Sequence, residues 1–223
     1  MKPAFYARPT LDVAADLIGK VLVHDRRGRR TAGIIVEVEA YIGEDDPACH
    51  AAPGPTMRNA PLYGPPGRAY VYLNYGLHYL VNAVTEPAGS PAAVLIRALE
   101  PIEGVDLMAR RRGKSRRVAF YETRKKPPDG FFHDLCRGPG NLTVAMAIDL
   151  RQNTGDLWKG KLRIEDRGIT PPALEWSRRI GIRVGVEQPW RCTWRGHAAI
   201  SGGRSRRRVS RRRRSTSPFA RRA

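Results

Sequence analysis

Two glutamates and a tyrosine stand two residues apart in Gly33-Ile34-Ile35-Val36-Glu37-Val38-Glu39-Ala40-Tyr41-Ile42, a run that is otherwise apolar or β-branched. A carboxylate on such a strand is costly unless it is paired, hydrogen-bonded or turned toward a wet cleft. Alternation puts Glu37, Glu39 and Tyr41 on one face and Val36, Val38 and Ala40 on the other. Further polar and aromatic candidates are His50, Tyr72, Tyr75, Asn82 and Arg97, all on predicted strands or in the long loop between them. Aromatic rings stack on bases, an arginine grips phosphate or orients a carboxylate, and a carboxylate activates water. Together they suit hydrolysis of a bond next to a planar heterocycle. Each also has a plainer reading: the tyrosines as cross-strand packing, His50 as a structural residue, and Arg97 as a buried ion pair with Glu37 or Glu39.

The elements that must position these residues follow from spacing and punctuation. Apolar residues in Leu11–Ile18 are spaced for one face of a short helix, capped by Gly19. Val21–His24 reads as a strand, and the polar turn 25–30 leads from it into Ile34–Tyr41 as a hairpin. Gly43–Pro66 is rich in Gly, Pro, Asp and Asn and is expected to be irregular, a loop of a length that tends to be functional. The run 69–84 is a second hairpin with Asn74-Tyr75-Gly76-Leu77 as its turn, which leaves the ring of Tyr75 near the tip. Ala92–Leu99 is a strand carrying Arg97. Pro101 opens a helix over Glu103–Arg112, followed by a basic cluster at Arg110–Arg117. Gly138-Pro139-Gly140-Asn141 turns into a helix over Leu142–Ile148, and Leu162–Glu165 and Ile180–Val186 supply further strands. No internal repeat is present.

The 223 residues, 41% of them hydrophobic, suffice for one domain with a real core. The net charge is +19, and the acid-free run Arg204–Arg222 contributes ten arginines to it. A basic body with a more basic tail points to a polyanionic partner, nucleic acid before membrane, with a solubility-driven surface charge as the bland alternative. The division expected is a body over residues 1–201 and a low-complexity, disordered Arg/Ser tail over 202–223. Cys49, Cys136 and Cys192 form no Cys-x-x-Cys pair and no zinc-ligand spacing, so reduced thiols in a cytoplasmic protein without a metal are expected. The start lacks an apolar signal region, and no run of eighteen or more apolar residues occurs.

At these residues the chain resembles the alkyladenine (3-methyladenine) DNA glycosylase family. The matching segments are Gly33–Gly43, Asp46–His50, Arg58-Asn59, Pro66–Gly76, Asn82, Val94–Pro101 and Gly138-Pro139 with Leu142, covering about residues 5–185. The resemblance implies an α+β fold, a single mixed domain with a curved antiparallel β-sheet and a protruding hairpin that enters the minor groove of duplex DNA. It implies a monomeric, monofunctional hydrolase of N-glycosyl bonds that needs neither metal nor cofactor and starts base excision repair at damaged purines. Tyr75 corresponds to the wedge that fills the space of a flipped nucleotide. Tyr41, with His50 alongside, and Tyr72 correspond to the walls that hold the base, and Asn82 to the residue that disfavours normal guanine. Glu39 corresponds to the general base and Arg97 to the arginine that orients water and carboxylate. Because Glu37 shares the face of Glu39, it is the natural rival for the base. No lysine matches a Schiff-base nucleophile.

Three departures stand out: His78 lies where an aromatic is usual, Pro189–Trp194 matches only in part, and the Arg/Ser tail has no counterpart. That tail is either a DNA tether or the product of an altered reading frame. The rival reading from another class is a non-catalytic module that binds nucleic acid or damage. Hydrolysis of free nucleosides is a third, against which the basic surface and the exposed wedge argue.

Overall fold

The computed structural model describes residues 1–114 and 132–202. The tail from 203 onward and the Ser115–Arg117 part of the expected basic cluster lie outside the described residues. The architecture is α+β, one domain built on a curved antiparallel sheet. Two short helices, α1 (Pro3–Tyr6) and α2 (Thr10–Leu17), precede β1 (Val21–Arg26) and the long β2 (Arg29–Ile42). The β3 (Ala69–Asn74) and β4 (His78–Val84) strands make the second hairpin, followed by β5 (Ala92–Glu103) and α3 (Val105–Arg111). The chain then supplies α4 (Pro139–Met146), β6 (Leu162–Glu165), β7 (Leu174–Ser177) and β8 (Arg191–Trp194). Neighbouring strands run β3-β4-β5-β2-β1-β6, with β8 added beside β2 and β7 beside β8. Among the described residues no helix is long and apolar enough to cross a membrane.

The central strands divide their side chains with period two. Val38 and Ala40 of β2, Val71 of β3, Val81 and Ala83 of β4, and Val94 and Ile96 of β5 enter the main core, with Val13, Leu17, Met108, Leu142 and Met146 of the helices. Residues between them, Tyr70, Val84 and Ala93, join Tyr41 and Tyr72 in a second cluster under the loop, with Cys49, Ala51 and Leu62. One face is therefore a helix-covered core and the other is available for a site.

Four expectations need correction. Val36 does not share the face of Val38 and Ala40. Pairing of β2 with β5 jumps from Ile35–Leu99 to Glu37–Ala98 and then to Val38–Ile96, so Val36 and Arg97 have no residue opposite. This bulge turns Val36 into a small cluster with Ala98 and Ala199. Pro101 lies within β5, paired with Gly33 beside a register shift that spares its missing N–H, and α3 starts four residues later, after Gly104 at φ 67°. The helix expected over Leu142–Ile148 starts at Pro139 and ends at Met146, where Ala147 turns left-handed at φ 55°. Finally, 180–186 is not a strand. Gly181 and Gly185, at φ 83° and 59°, break its extended path, and the sheet is completed by β7 and β8 on either side.

The second hairpin matches the expected turn. Tyr75 and Gly76 both have positive φ, 48° and 69°, and the Leu77 N–H closes on the Asn74 carbonyl at 3.0 Å. Its Tyr75 and Leu77 side chains are 85% and 77% exposed. His78, the residue out of pattern, lies against α4: a Cβ on Gly140 would fall 2.8 Å from its Cγ.

Candidate active site

On the sheet face opposite the main core lies a cavity of about 580 Å³. Its lining brings together Tyr41, His50, Tyr72, Tyr75, Asn82 and Arg97 from four strands, the long loop and the hairpin tip. Glu39 is absent from that lining and fully buried, one layer behind Tyr41 and Arg97.

Glu37 and Glu39 share Arg97, whose Nε donates to Glu37 Oε1 and whose Nη1 donates to Glu39 Oε2, both at 3.0 Å. The bulge makes this possible, because it frees Arg97 from a cross-strand partner and aims it along the glutamate face. Glu37 is bound through both oxygens, by partners that, Arg97 apart, do not line the cavity. Its Oε1 also accepts from Arg191 Nε at 2.7 Å and the Ser201 hydroxyl at 2.8 Å, and its Oε2 from the Ser201 N–H at 2.5 Å. Glu39 Oε2 accepts from the Tyr41 hydroxyl at 2.9 Å as well as from Arg97, whereas its Oε1 takes only the Ile180 N–H, at 2.7 Å. A carboxylate oxygen accepts about two hydrogen bonds, so Glu39 Oε1 keeps acceptor capacity beside a residue that lines the cavity. Burial and the neighbouring Glu39 push the Tyr41 hydroxyl well above the ordinary range, so it stays a donor. The two carboxylates hold the Arg97 charge in place against burial.

The aromatic wall is built by β3 alternation. Tyr72 faces the His50 ring at 4.5 Å between centroids, and the Tyr70 ring is 5.3 Å from that of Tyr72. His50 Nδ1 pairs with the Tyr70 hydroxyl at 2.8 Å. Burial, with Arg58 nearby, lowers the His50 pKa and keeps the ring neutral. Asn82 stands opposite Tyr70 and donates to its carbonyl at 2.9 Å, which fixes the amide in the cavity wall. The loop that carries His50 is pinned by Asn59, whose amide nitrogen donates to the carbonyls of His50 at 2.7 Å and Gly54 at 2.8 Å.

Sequence reasoning missed Arg179 and the wall it holds. Its fully buried side chain forms a bidentate pair with Asp46, at 2.5 and 2.7 Å, and also donates to the carbonyls of Ala40 and Gly185. The guanidinium lies 4.7 Å from the Tyr41 ring centroid and 5.1 Å from that of Trp190. It thus ties the start of the long loop to the irregular segment Ile180–Val184, which lines the cavity. The glycines at 181 and 185, interrupting an apolar run, were the signal that this stretch is not a strand. Among the described residues no group of three or more His, Cys, Asp or Glu side chains could hold a metal ion. Cys49, Cys136 and Cys192 are buried and free.

Comparison with known proteins bears on this arrangement. The family model for methylpurine-DNA glycosylase matches residues 4–198. Three relatives are provisionally named 3-methyladenine DNA glycosylases. The one from Chlorobium phaeobacteroides is 48% identical over 84% of this chain and 87% of the relative. That of Burkholderia lata is 45% identical over 92% of each. The Methanocella arvoryzae protein is 46% identical over 84% and 88%. With a family model that spans nearly all the described body and relatives of such identity and coverage, the chain belongs to the methylpurine-DNA glycosylase family.

Proposed function

We propose that this protein is a monofunctional DNA glycosylase that acts as a monomer on duplex DNA containing alkylated or deaminated purines. It extrudes the damaged nucleotide and hydrolyses the N-glycosidic bond with a water activated by Glu39, giving free base and an abasic site for base excision repair. The observation that carries the reading is the contrast in partners between two equally buried carboxylates. Each keeps one oxygen with a single donor, Glu37 Oε2 with the Ser201 N–H and Glu39 Oε1 with the Ile180 N–H, but the partners of Glu39, namely Tyr41, Arg97 and Ile180, all line the cavity, whereas Arg191 and Ser201 beside Glu37 do not.

In this mechanism Tyr75, on the exposed hairpin tip, occupies the gap left in the stack. Extrusion costs a few kcal/mol of stacking and pairing, least for a damaged or mispaired base, and the wedge and the cavity offset that cost. The base lies between Tyr41 and Tyr72, with His50 beside them, and Asn82 crowds the position a guanine 2-amino group would take. Arg97 holds the Glu39 carboxylate in place, so that Glu39 can take a proton from water attacking C1′. The hydrolysis uses no metal, cofactor or covalent lysine intermediate.

Single-turnover release of base from a duplex with one hypoxanthine tests this directly. Glu39→Gln should lose on the order of 10²–10⁴-fold in rate at matched DNA binding. Tight binding of damaged duplexes by wild type with no base released from any lesion would leave a binding module instead.

A further inference from the structure

The two rings assigned above to the extruded base are each backed by a cation. Arg179 contacts Tyr41 at 4.7 Å but is not part of the cavity lining, so it approaches the ring from behind. Arg58, exposed on the loop, has its guanidinium carbon 6.0 Å from the Tyr72 centroid. Its Nη2 reaches the Leu73 carbonyl at 3.4 Å, and no carboxylate pairs with it among the described residues. Asp46 balances the charge of Arg179, yet it is the guanidinium and not the carboxylate that sits over the ring. The positive field reaches the cavity, since Arg58 helps to hold His50 neutral. Arg183 adds a further cation to the cavity lining.

An aromatic face attracts a cation through its quadrupole, and that attraction is weakened when a second cation already lies on the opposite face. We infer that Arg179 and Arg58 are specificity-determining residues that bias the cavity toward neutral purine lesions, such as hypoxanthine, and against purines that carry a positive charge, such as 7-methylguanine. The inference rests on the glycosylase reading and adds the charge class of its substrate. Neither arginine touches the reacting bond. They act through the stacking faces, and Arg179 also keeps the Tyr41 ring in place between itself and the cavity.

Ground-state binding isolates this effect from chemistry. Full-length protein is titrated with duplexes containing one 2′-fluoro-deoxyinosine or one 2′-fluoro-7-methyldeoxyguanosine, whose glycosidic bonds resist cleavage. The readout is the ratio of the two affinities, which cancels losses common to both. Arg58→Gln should shift that ratio toward the cationic lesion by roughly three- to tenfold, and Arg58→Lys should leave it where it was. The double variant Asp46→Asn with Arg179→Gln, which removes the buried charges together, should shift it in the same direction. Because Arg58 is exposed, its replacement puts no buried contact at risk, and a ratio constant within about twofold in Arg58→Gln overturns the inference. Failure of wild type to prefer either lesion over undamaged duplex would instead sink the underlying assignment of the cavity to a flipped base.

Discussion

Glu37 and Glu39 are the same residue type on one strand, share one face and one arginine, and are both fully buried. They differ in what surrounds them. Glu37 meets Arg97, Arg191 and two donors of Ser201, a closed set that joins β2 to β8 and to the chain beyond it. Glu39 meets Arg97, a tyrosine of the cavity and one backbone N–H of the irregular wall. Burial therefore does not separate the carboxylate proposed as the base from its neighbour. A full set of partners that lines the cavity does.

The sharpest way to break this contrast is to remove each charge in turn. Glu39→Gln should abolish most excision, by about 10²-fold or more, with little loss of damaged-duplex affinity. Glu37→Gln should act mainly on the fold, since leaving Arg97 and Arg191 with half their partner costs about 3 kcal/mol in chemical denaturation. The folded fraction should retain excision within about tenfold of wild type. If Glu37→Gln instead lost all excision with an unchanged denaturation midpoint, the roles would be reversed.

The second buried pair extends the comparison to the loop side of the site. Arg179→Met leaves Asp46 buried without its cation and should cost about 3–5 kcal/mol, read from the denaturation midpoint. Asp46→Asn with Arg179→Gln should recover part of that loss, because a neutral pair keeps hydrogen bonding without an unpaired charge. No recovery in the double variant would mean that the cation's contacts to Tyr41 and Trp190, and not the ion pair, hold this wall.

How far the sequence could see follows the same division. Strand alternation showed the shared face of Glu37, Glu39 and Tyr41, and the aromatic hairpin with Tyr75 at its tip, because period two is written directly into residue type. The β2–β5 bulge was hidden, since no glycine or proline marks Val36 or Arg97, and with it the reason one arginine reaches both carboxylates. Residues 180–186 were misread because apolar β-branched residues outweighed two glycines whose positive φ was not visible. Arg179 was lost among the many basic residues of a chain at +19, its burial decided by Asp46 more than a hundred positions earlier. The rest of the site is legible only once the loop and the irregular wall are folded together.

Tyr75 gives a smaller test, on a residue whose strain and proposed function point in opposite directions. It holds φ 48°, a conformation glycine adopts freely, while its ring is almost wholly in solvent. Tyr75→Gly should therefore leave thermal stability unchanged or raise it slightly, yet weaken excision from duplex by roughly tenfold, with a smaller effect on a lesion in a single strand, where no stack has to be opened. Equal losses on both substrates would remove the wedge role from this residue.

The smallest effect expected concerns two histidines that are both kept neutral by burial. His24 is buried on β1 with Nδ1 2.8 Å from the Met146 carbonyl, and burial lowers its pKa with Arg26 and Arg111 adding to the effect. His50 is lowered by burial and Arg58, but it lines the cavity. In both the folded state binds a proton less readily than the unfolded state, whose histidine titrates near 6.5. Stability from this source is complete above that pH and declines as pH falls toward the folded values, with a limiting slope of about 1.4 kcal/mol per pH unit for each group. His24→Gln should flatten part of the acid-side decline in stability and leave lesion affinity alone. His50→Gln should flatten another part and also alter the pH dependence of damaged-duplex binding, because its ring stands on the cavity wall proposed to receive the base. If the two substitutions changed the same quantities, the division between core and cavity drawn for the glutamates would not extend to the histidines.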